Sequence, residues 1–185
     1  NSFGIQIASF LWSAINWIRR KILSGRTVPK KSILVGNLQS GGAGKTPILI
    51  GLAREAVKRG LRVGVISRGY KRKSLDLEVA GPGVPLTFEK FGDELCEIRS
   101  QLPEVWICAS SDRWKALERM SDTDLVLFDD GFQNLKFKPT LTVLCVTDRT
   151  RSQVVYRDFD SQASYADFVF KTKGRLTNAR FVIEN

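Results

Sequence analysis

The sequence predicts an α/β fold in which a mostly parallel sheet lies between two layers of helices. Short apolar runs indicate strands at 33–36, 62–66, 105–108, 124–128, 141–146 and 167–170. Helical segments alternate with these strands near 47–59, 94–101 and 112–120. Such alternation is typical of parallel sheets, because each helix carries the chain back across the sheet. A chain of 185 residues is long enough for one core of this kind.

The composition excludes several classes of protein. Apolar residues make up 43% and charged residues 26% of the chain, and no repeat or low-complexity tract is visible, so disordered and collagen-like chains are excluded. The chain has no histidine, so a mechanism that needs imidazole must use another group or another chain. Cys96, Cys108 and Cys145 are widely separated and odd in number, which predicts reduced thiols and a cytosolic compartment.

Positive charge is concentrated in the first part of the chain. The net charge is +10. Residues 1–75 hold 15 basic side chains and one acid, whereas residues 76–185 hold 14 bases and 18 acids. The basic part is expected to face phosphate groups, anionic lipid or nucleic acid. Nucleic acid is not expected, because the basic residues are not interleaved with aromatics on which bases could stack.

The first 24 residues predict an amphipathic helix that associates with a membrane surface. Residues 1–18 carry no charged side chain, and three basic residues follow them, the reverse of the order in a signal peptide. A wide apolar face with two tryptophans surrounds one narrow polar stripe, which consists of Gln6, Ser9, Ser13, Asn16 and Arg20. A helix packed in the core and a transmembrane span are the alternatives, and the polar stripe argues against the span.

A glycine-rich loop between a strand and a helix predicts phosphate binding. The run GNLQSGGAGKTP occupies 36–47, and such a loop turns backbone N–H groups toward phosphate oxygens. We expect Lys45 to contact the β- and γ-phosphates of a nucleotide and the Thr46 hydroxyl to bind Mg²⁺. The loop also supplies Gly41, Gly42, Ala43 and Gly44. The strict pattern has glycine where this chain has Gln39. Residues 32–185 are therefore predicted to form a three-layer P-loop NTPase-like domain.

Charged residues also follow two other predicted strands. Arg68, in the run SRGY (67–70), is a candidate phosphate contact, because ligands bind at strand ends in open parallel sheets. Asp129 and Asp130 end an apolar strand. Adjacent carboxylates repel each other without a cation, so this pair predicts a Mg²⁺ site.

Two further motifs are ambiguous on their own. The acids of Gly92-Asp93-Glu94 fit a turn, a helix start or a functional pair. The pair Asp112-Arg113 fits a helix N-cap or an arginine directed at a transferring phosphate.

Taken in order, these motifs resemble those of the tetraacyldisaccharide 4′-kinase family of lipid A biosynthesis. The matching runs are GNLQSGGAGKTP (36–47), SRGY (67–70), GDE (92–94), DR (112–113) and DDGFQ (129–133). The resemblance covers roughly residues 5–150. It implies a membrane-associated kinase on the cytoplasmic face of the inner membrane. Such a kinase moves the γ-phosphoryl group of ATP to the 4′-hydroxyl of a lipid A disaccharide precursor, with Mg²⁺.

The resemblance also implies roles for single residues. Asp93 matches the acid that activates the hydroxyl, and Lys45 matches the lysine of the phosphate loop. The metal-site residues of the family correspond to Thr46, Glu94, Asp129 and Asp130. Arg113 matches a catalytic position, and Gln133 matches a further motif position.

Family members continue into a second lobe whose histidine assists the catalytic acid. These 185 residues contain no histidine, so a missing segment or a partner chain is the expected source of that lobe. Three functions stay open: an ATP-dependent short-form kinase, a non-catalytic ATP-binding membrane module descended from it, and a nucleotide switch whose helix leaves the membrane on hydrolysis. Four acids around one site favour the kinase.

Overall fold

A computed structural model of the chain describes residues 2–23, 25–39, 43–147, 158–172 and 182–184. The helices are α1 (Ser2–Ile22), α2 (Lys45–Lys58), α3 (Phe88–Phe91), α4 (Asp93–Gln101), α5 (Arg113–Glu118) and a 3₁₀ helix (Asp160–Tyr165). The strands are β1 (Arg26–Thr27), β2 (Ser32–Asn37), β3 (Val63–Ser67), β4 (Glu78–Ala80), β5 (Trp106–Ala109), β6 (Leu125–Asp129), β7 (Phe137–Lys138), β8 (Leu141–Thr147), β9 (Phe168–Thr172) and β10 (Val182–Glu184).

The chain divides into two compact units that alternate along the sequence. Unit 1 comprises Asn1–Val28, Leu34–Lys45 and Gly131–Asn185, and unit 2 comprises Pro29–Ile33 and Thr46–Asp130. The domain boundaries expected from the sequence, 1–24 and 32–185, stay a prediction.

The strands of unit 2 lie in the order β6, β3, β5 and β4. Strand β3 runs parallel to both β5 and β6, and β4 pairs antiparallel with β5. Helices on the two faces of a parallel sheet bury its strands on both sides, so these strands are continuous apolar runs. The core of the unit includes Val65, Ile66, Ile107, Cys108 and Leu127, all fully buried.

The strands of unit 1 lie in the order β10, β9, β8 and β2, the last through its residues 34–37. Strands β8 and β9 are parallel, whereas β10 runs antiparallel to β9. Strands β1 and β7 form a separate two-stranded parallel ladder. The mostly parallel α/β fold is therefore confirmed, and each predicted strand and helix is found within two residues of its expected bounds.

Helix α1 turns most of its polar stripe inward and its apolar face outward, and Gln6, at the start of the stripe, is exposed. Ser9, Ser13 and Asn16 are at most 2% exposed. Large apolar side chains on the other side of the helix are exposed by 47–75%, among them Ile7, Phe10, Leu11, Trp12, Ile15, Ile18 and Ile22. None of the helices in the described ranges is long and apolar enough to cross a membrane.

Candidate nucleotide and phosphoryl-transfer site

The phosphate loop begins at the end of β2, and the described residues resume at Ala43, before the start of α2. Ala43 and Gly44 are buried, and Gly44 has a φ of 73°, a conformation that glycine adopts without strain. Lys45 Nζ donates to Asn37 Oδ1 at 3.4 Å. The predicted contacts Gly41 and Gly42 lie outside the described residues.

Gln39, the departure from the strict loop pattern, has a structural role in unit 1. Its side chain pairs with Thr147 at the end of β8, donating to the Thr147 carbonyl oxygen at 3.2 Å. In return, Oε1 of Gln39 accepts from Thr147 N at 3.2 Å and from Thr147 Oγ1 at 2.6 Å. The amide thus makes the pair of hydrogen bonds that a neighbouring strand would make, which a glycine could not do.

Helix α2 begins at Lys45 and Thr46, with Pro47 in its first turn. Proline is well tolerated there, because the first N–H groups of a helix have no partner within it. Such a helix start favours an anion through its N–H groups and its dipole. Thr46 is half-buried. The local sequence therefore forms the helix start that the motif predicts, and phosphate binding there stays a prediction.

The Asp129 carboxylate of unit 2 is held by a neighbouring strand end. Asp129 ends β6, is 2% exposed, and accepts from Ser67 Oγ at 2.9 Å through Oδ2. Ser67 ends β3, which is parallel to β6, so the two residues meet at one edge of the sheet. Sequence reasoning missed this role of Ser67, although the serine belongs to the SRGY run.

Asp130 follows with a φ of 54°. Aspartate is one of the few non-glycine residues that adopt this left-handed conformation, at a cost of order 1 kcal/mol. Strain of this kind is concentrated at functional sites, where surrounding contacts hold it.

Each interpretation of the Asp112-Arg113 motif applies to one residue of the pair: Asp112 caps a helix, and Arg113 contacts the backbone of the acids at the end of β6. Asp112 is the N-cap of α5 and accepts from the backbone N–H groups of Trp114 and Lys115. Arg113 is 4% exposed and donates to the carbonyl oxygens of Asp129, at 3.4 Å, and of Asp130. Burial lowers the pKa of Arg113 to about 10, and the nearby Arg68 guanidinium acts in the same direction. Arg68 itself is exposed.

Two glycines bring the SRGY and GDE runs into backbone contact in unit 2. Gly92 has a φ of 79°, and a Cβ there would lie 2.3 Å from the Tyr70 carbonyl oxygen. Gly69 has a φ of 72°, and its Cβ would lie 2.8 Å from the Phe91 carbonyl oxygen. Helix α4 starts next to this contact, with Asp93 exposed and Glu94 half-buried in its first turn.

Gln133, in unit 1, connects three segments of the chain. Its Nε2 donates to the Asn37 carbonyl oxygen at 3.0 Å and to Asp158 Oδ2 at 2.6 Å. Asp158 is fully buried and also lies 3.9 Å from the Arg20 guanidinium. The sequence singled out Gln133, but nothing in its pattern indicated Asn37 or Asp158 as partners.

The donor set suits Mg²⁺ bound together with a nucleotide. Within the described ranges no three Asp, Glu, Cys or His side chains gather into a metal cage. Magnesium beside nucleotide phosphates needs only one or two carboxylates and a hydroxyl, the phosphates and water supplying the other ligands. The predicted residues Thr46, Asp129 and Asp130 have this chemistry.

The comparisons with known proteins decide the family. Residues 3–157 match the family model LpxK, described as tetraacyldisaccharide-1-P 4′-kinase. The chain belongs to the LpxK family. The motifs at 36–47, 67–70, 92–94, 112–113 and 129–133 all lie within the matched residues.

Curated LpxK relatives match over most of this chain. A tetraacyldisaccharide 4′-kinase of Pelobacter propionicus is 35% identical over 170 residues, which cover 84% of this chain and 46% of the relative. The enzyme of Haemophilus influenzae is 37% identical over 169 residues, covering 83% and 49%. The chain thus spans about half the length of these relatives.

A solved LpxK structure supports the fold. The Aquifex aeolicus protein, crystallised as an "apo" form in complex with ATP, superposes with a TM-score of 0.80 at 28% identity. The superposition covers 92% of this chain and 58% of that one. The P-loop NTPase-like fold and the family resemblance are therefore confirmed, while the roles of single residues stay predictions.

Proposed function

We propose that this chain carries the nucleotide-binding part of a kinase that phosphorylates the 4′-hydroxyl of tetraacyldisaccharide 1-phosphate, using ATP. The observation that carries the proposal is the LpxK family match over residues 3–157, because it includes every residue to which a role was assigned. The acceptor, the nucleotide and the reaction are those of the relatives, and they are proposals for this chain.

Phosphoryl transfer exchanges one P–O bond for another. The hydroxyl oxygen of the acceptor forms a bond to the γ-phosphorus, the bond from that phosphorus to the bridging oxygen breaks, and ADP leaves with the electron pair. We propose that Asp93 accepts the proton of the hydroxyl. Asp93 is exposed in the first turn of α4, where an acceptor can reach it from solvent, and a positioned carboxylate can act as a base late in the transfer.

Cationic and N–H groups are assigned to the phosphates. Lys45 neutralises the β- and γ-phosphates, and the start of α2 offers its backbone N–H groups to them. In unit 2, Arg68 and Arg113 are the candidate cations for charge that develops during transfer. The hydrogen bonds of Arg113 to the Asp129 and Asp130 carbonyl oxygens hold its guanidinium beside the candidate metal-site acids.

The residues that would hold Mg²⁺ are Thr46, Asp129 and Asp130, and Glu94 is a further candidate that the family resemblance supplies. When bound, the ion draws negative charge from the phosphate oxygens and orients them. The hydrogen bond from Ser67 fixes one oxygen of Asp129, as partners of metal-binding carboxylates commonly do.

We further propose that α1 holds the protein on the cytoplasmic face of the inner membrane. A helix that covers most of its polar stripe and exposes a broad apolar face has no favourable neighbour in water for that face but has one in a lipid surface. The basic residues Arg19 and Lys21, at the end of the helix, would face anionic head groups.

The test is label transfer from γ-labelled ATP to the lipid acceptor in detergent with Mg²⁺. Because the relatives are about twice as long as the matched region, the assay is run with the chain alone and with the remaining part of the Haemophilus influenzae relative added. We expect transfer that Asp93→Asn reduces at least 100-fold. Glu97→Gln, on the exposed side of the same helix, is the control and should leave the rate unchanged.

Transfer that survives in Asp93→Asn would contradict the assigned base. Absence of transfer in both preparations, alongside intact ATP binding, would contradict the kinase and leave the non-catalytic module.

A further inference from the structure

Side-chain contacts within unit 1 connect helix α1 to the lysine of the phosphate loop. Arg20 Nη2 lies 3.9 Å from Asp158 Oδ2, which accepts from Gln133 Nε2 at 2.6 Å. Gln133 Nε2 also donates to the Asn37 carbonyl oxygen at 3.0 Å, and Asn37 Oδ1 accepts from Lys45 Nζ at 3.4 Å. These five residues form the Arg20–Lys45 contact chain.

Arg20 holds its end of the contact chain through several independent contacts. Its side chain is 8% exposed, and Nη2 donates to the Phe132 carbonyl oxygen at 2.6 Å. The guanidinium lies 4.0 Å from the centre of the Phe132 ring and 5.5 Å from that of Tyr165. Burial lowers the pKa of Arg20, and Asp158 opposes that effect. A buried cation with these partners fixes the rotation of α1 about its axis.

The two faces of α1 therefore differ in what they contact. The face that carries Arg20 packs inside unit 1, whereas the opposite face exposes Leu11, Ile15 and Ile18 by 50–56%. A lipid surface that binds this apolar face favours the seated helix, because the contacts of Arg20 keep that face preformed, whereas a released helix must order itself before it can bind. A ligand shifts an equilibrium only through such a difference in affinity for two states.

We propose that Arg20 is a positioning residue for Lys45, and that binding of α1 to an anionic lipid surface strengthens ATP binding through the Arg20–Lys45 contact chain. The proposal rests on the proposed function, since it takes Lys45 as the ligand of the β- and γ-phosphates. Such coupling is reciprocal, so ATP also strengthens the binding of the protein to lipid.

The experiment measures the dissociation constants of ATP and AMP, with Mg²⁺, for the full chain and its variants. AMP lacks the phosphates that Lys45 contacts, so a misplaced lysine weakens ATP binding alone. We expect Arg20→Gln to weaken ATP binding about tenfold and AMP binding little. Vesicles of phosphatidylcholine and phosphatidylglycerol should tighten ATP binding by the wild type but not by Arg20→Gln, and vesicles of phosphatidylcholine alone should tighten ATP binding by the wild type less.

Arg59→Gln is the control, because Arg59 is exposed and pairs with Glu55 at the end of α2. It should bind ATP as the wild type does, with and without vesicles. Asp158→Asn keeps the shape of its side chain and should act in the same direction as Arg20→Gln, which covers the case in which Arg20→Gln fails to fold by circular dichroism.

The proposal is overturned if Arg20→Gln and Asp158→Asn bind ATP as the wild type does, or if their affinities for ATP and AMP fall by the same factor. It is also overturned if anionic vesicles leave the ATP dissociation constant of the wild type unchanged. Wild-type binding of ATP that Lys45→Ala abolishes would, in each of these cases, leave the proposed function standing. A wild type that binds no ATP overturns both.

Discussion

At the scale of single residues, the site departs from common patterns where a side chain has a specific structural task. Gln39 stands at a glycine position because its amide pairs with Thr147. Asp130 adopts a φ of 54° immediately after Asp129, whose carboxylate Ser67 holds. A departure from a consensus motif is therefore explained by the contacts of the residue that replaces it.

Restoring the consensus glycine should destabilise the protein. Gln39→Gly removes three hydrogen bonds to Thr147 and loosens the backbone, so we expect the free energy of unfolding to fall by about 2–3 kcal/mol in urea titrations. Gln39→Ala should lose most of that amount, whereas Thr147→Val, which removes one donor, should lose less. A Gln39→Gly variant as stable as the wild type would mean that these bonds contribute nothing.

At the scale of elements, strand ends and helix starts are held together by a few side chains and by glycine. Arg62, before β3, forms a bidentate pair with Asp124, before β6, at 2.8 and 3.1 Å. The backbone N–H of Arg62 donates to the same carboxylate at 2.9 Å. These bonds set the register in which the two parallel strands begin.

The Arg62–Asp124 pair should make stability depend on pH in acid. Its hydrogen bonds lower the pKa of Asp124 below that of an unfolded aspartate, about 3.9. The stabilisation is therefore complete above that value and is lost as the pH falls through the lowered pKa of the folded state. The free energy of unfolding of Asp124→Asn should fall below that of the wild type by the same amount at pH 7 and pH 5. At pH 3 the difference should be smaller.

Asp122→Asn, which changes an exposed neighbour that accepts from Ser121, is the control for that series. A deficit of Asp124→Asn that grows toward pH 3 would have the wrong sign for this pair. Because both side chains are partly exposed, added salt should also reduce the deficit.

The contact between the SRGY and GDE runs should be sensitive to a single methyl group. Gly60 and Gly92 have nearly the same φ, 78° and 79°, but a Cβ at Gly60 meets nothing within 4 Å. Gly60→Ala should lower the free energy of unfolding only by the backbone strain, about 1–2 kcal/mol. Gly92→Ala should cost clearly more in thermal or urea unfolding, because its Cβ would meet the Tyr70 backbone. Equal losses would argue against the close backbone contact.

Local patterns predicted most elements, and tertiary contacts explain those they missed. Val63–Ser67 and Leu125–Asp129 are continuous apolar runs, the pattern expected of strands that are buried on both faces of a parallel sheet. Strand β4 has only three residues and owes its conformation to pairing with β5. Contacts between residues of the candidate site also depend on tertiary structure. Ser67 and Asp129 are 62 residues apart, so only the parallel pairing of β3 with β6 brings them together.

At the scale of the whole molecule, the chain combines nucleotide-site motifs with an apolar helix surface. The sequence predicted the polar stripe of α1, but it could not tell which face packs, because both faces are regular. In the structure most of the stripe is buried, with Gln6 exposed at its start, and the apolar side is exposed. That arrangement supports lipid binding without requiring the helix to leave its unit.

Two apolar residues of α1 should contribute to membrane binding but not to stability. Leu11 and Ile15 are 56% and 51% exposed, so Leu11→Ser with Ile15→Ser should leave the melting temperature nearly unchanged. Sedimentation with anionic vesicles should be weakened at least tenfold, since each lost side chain removes roughly 1.5 kcal/mol or more of transfer free energy. Leu75→Ser, at a residue 90% exposed outside the helix, is the control. Undiminished sedimentation of the double variant would contradict the role of α1.

Mg²⁺-dependent ATP binding by this chain, followed by calorimetry, tests the nucleotide site itself. The phosphate loop predicts binding that is lost in Lys45→Ala and kept in Lys58→Ala, which changes an exposed lysine at the end of the same helix. Binding that both variants retain equally, or a wild type that binds no ATP with or without Mg²⁺, would contradict the assignment of the nucleotide site.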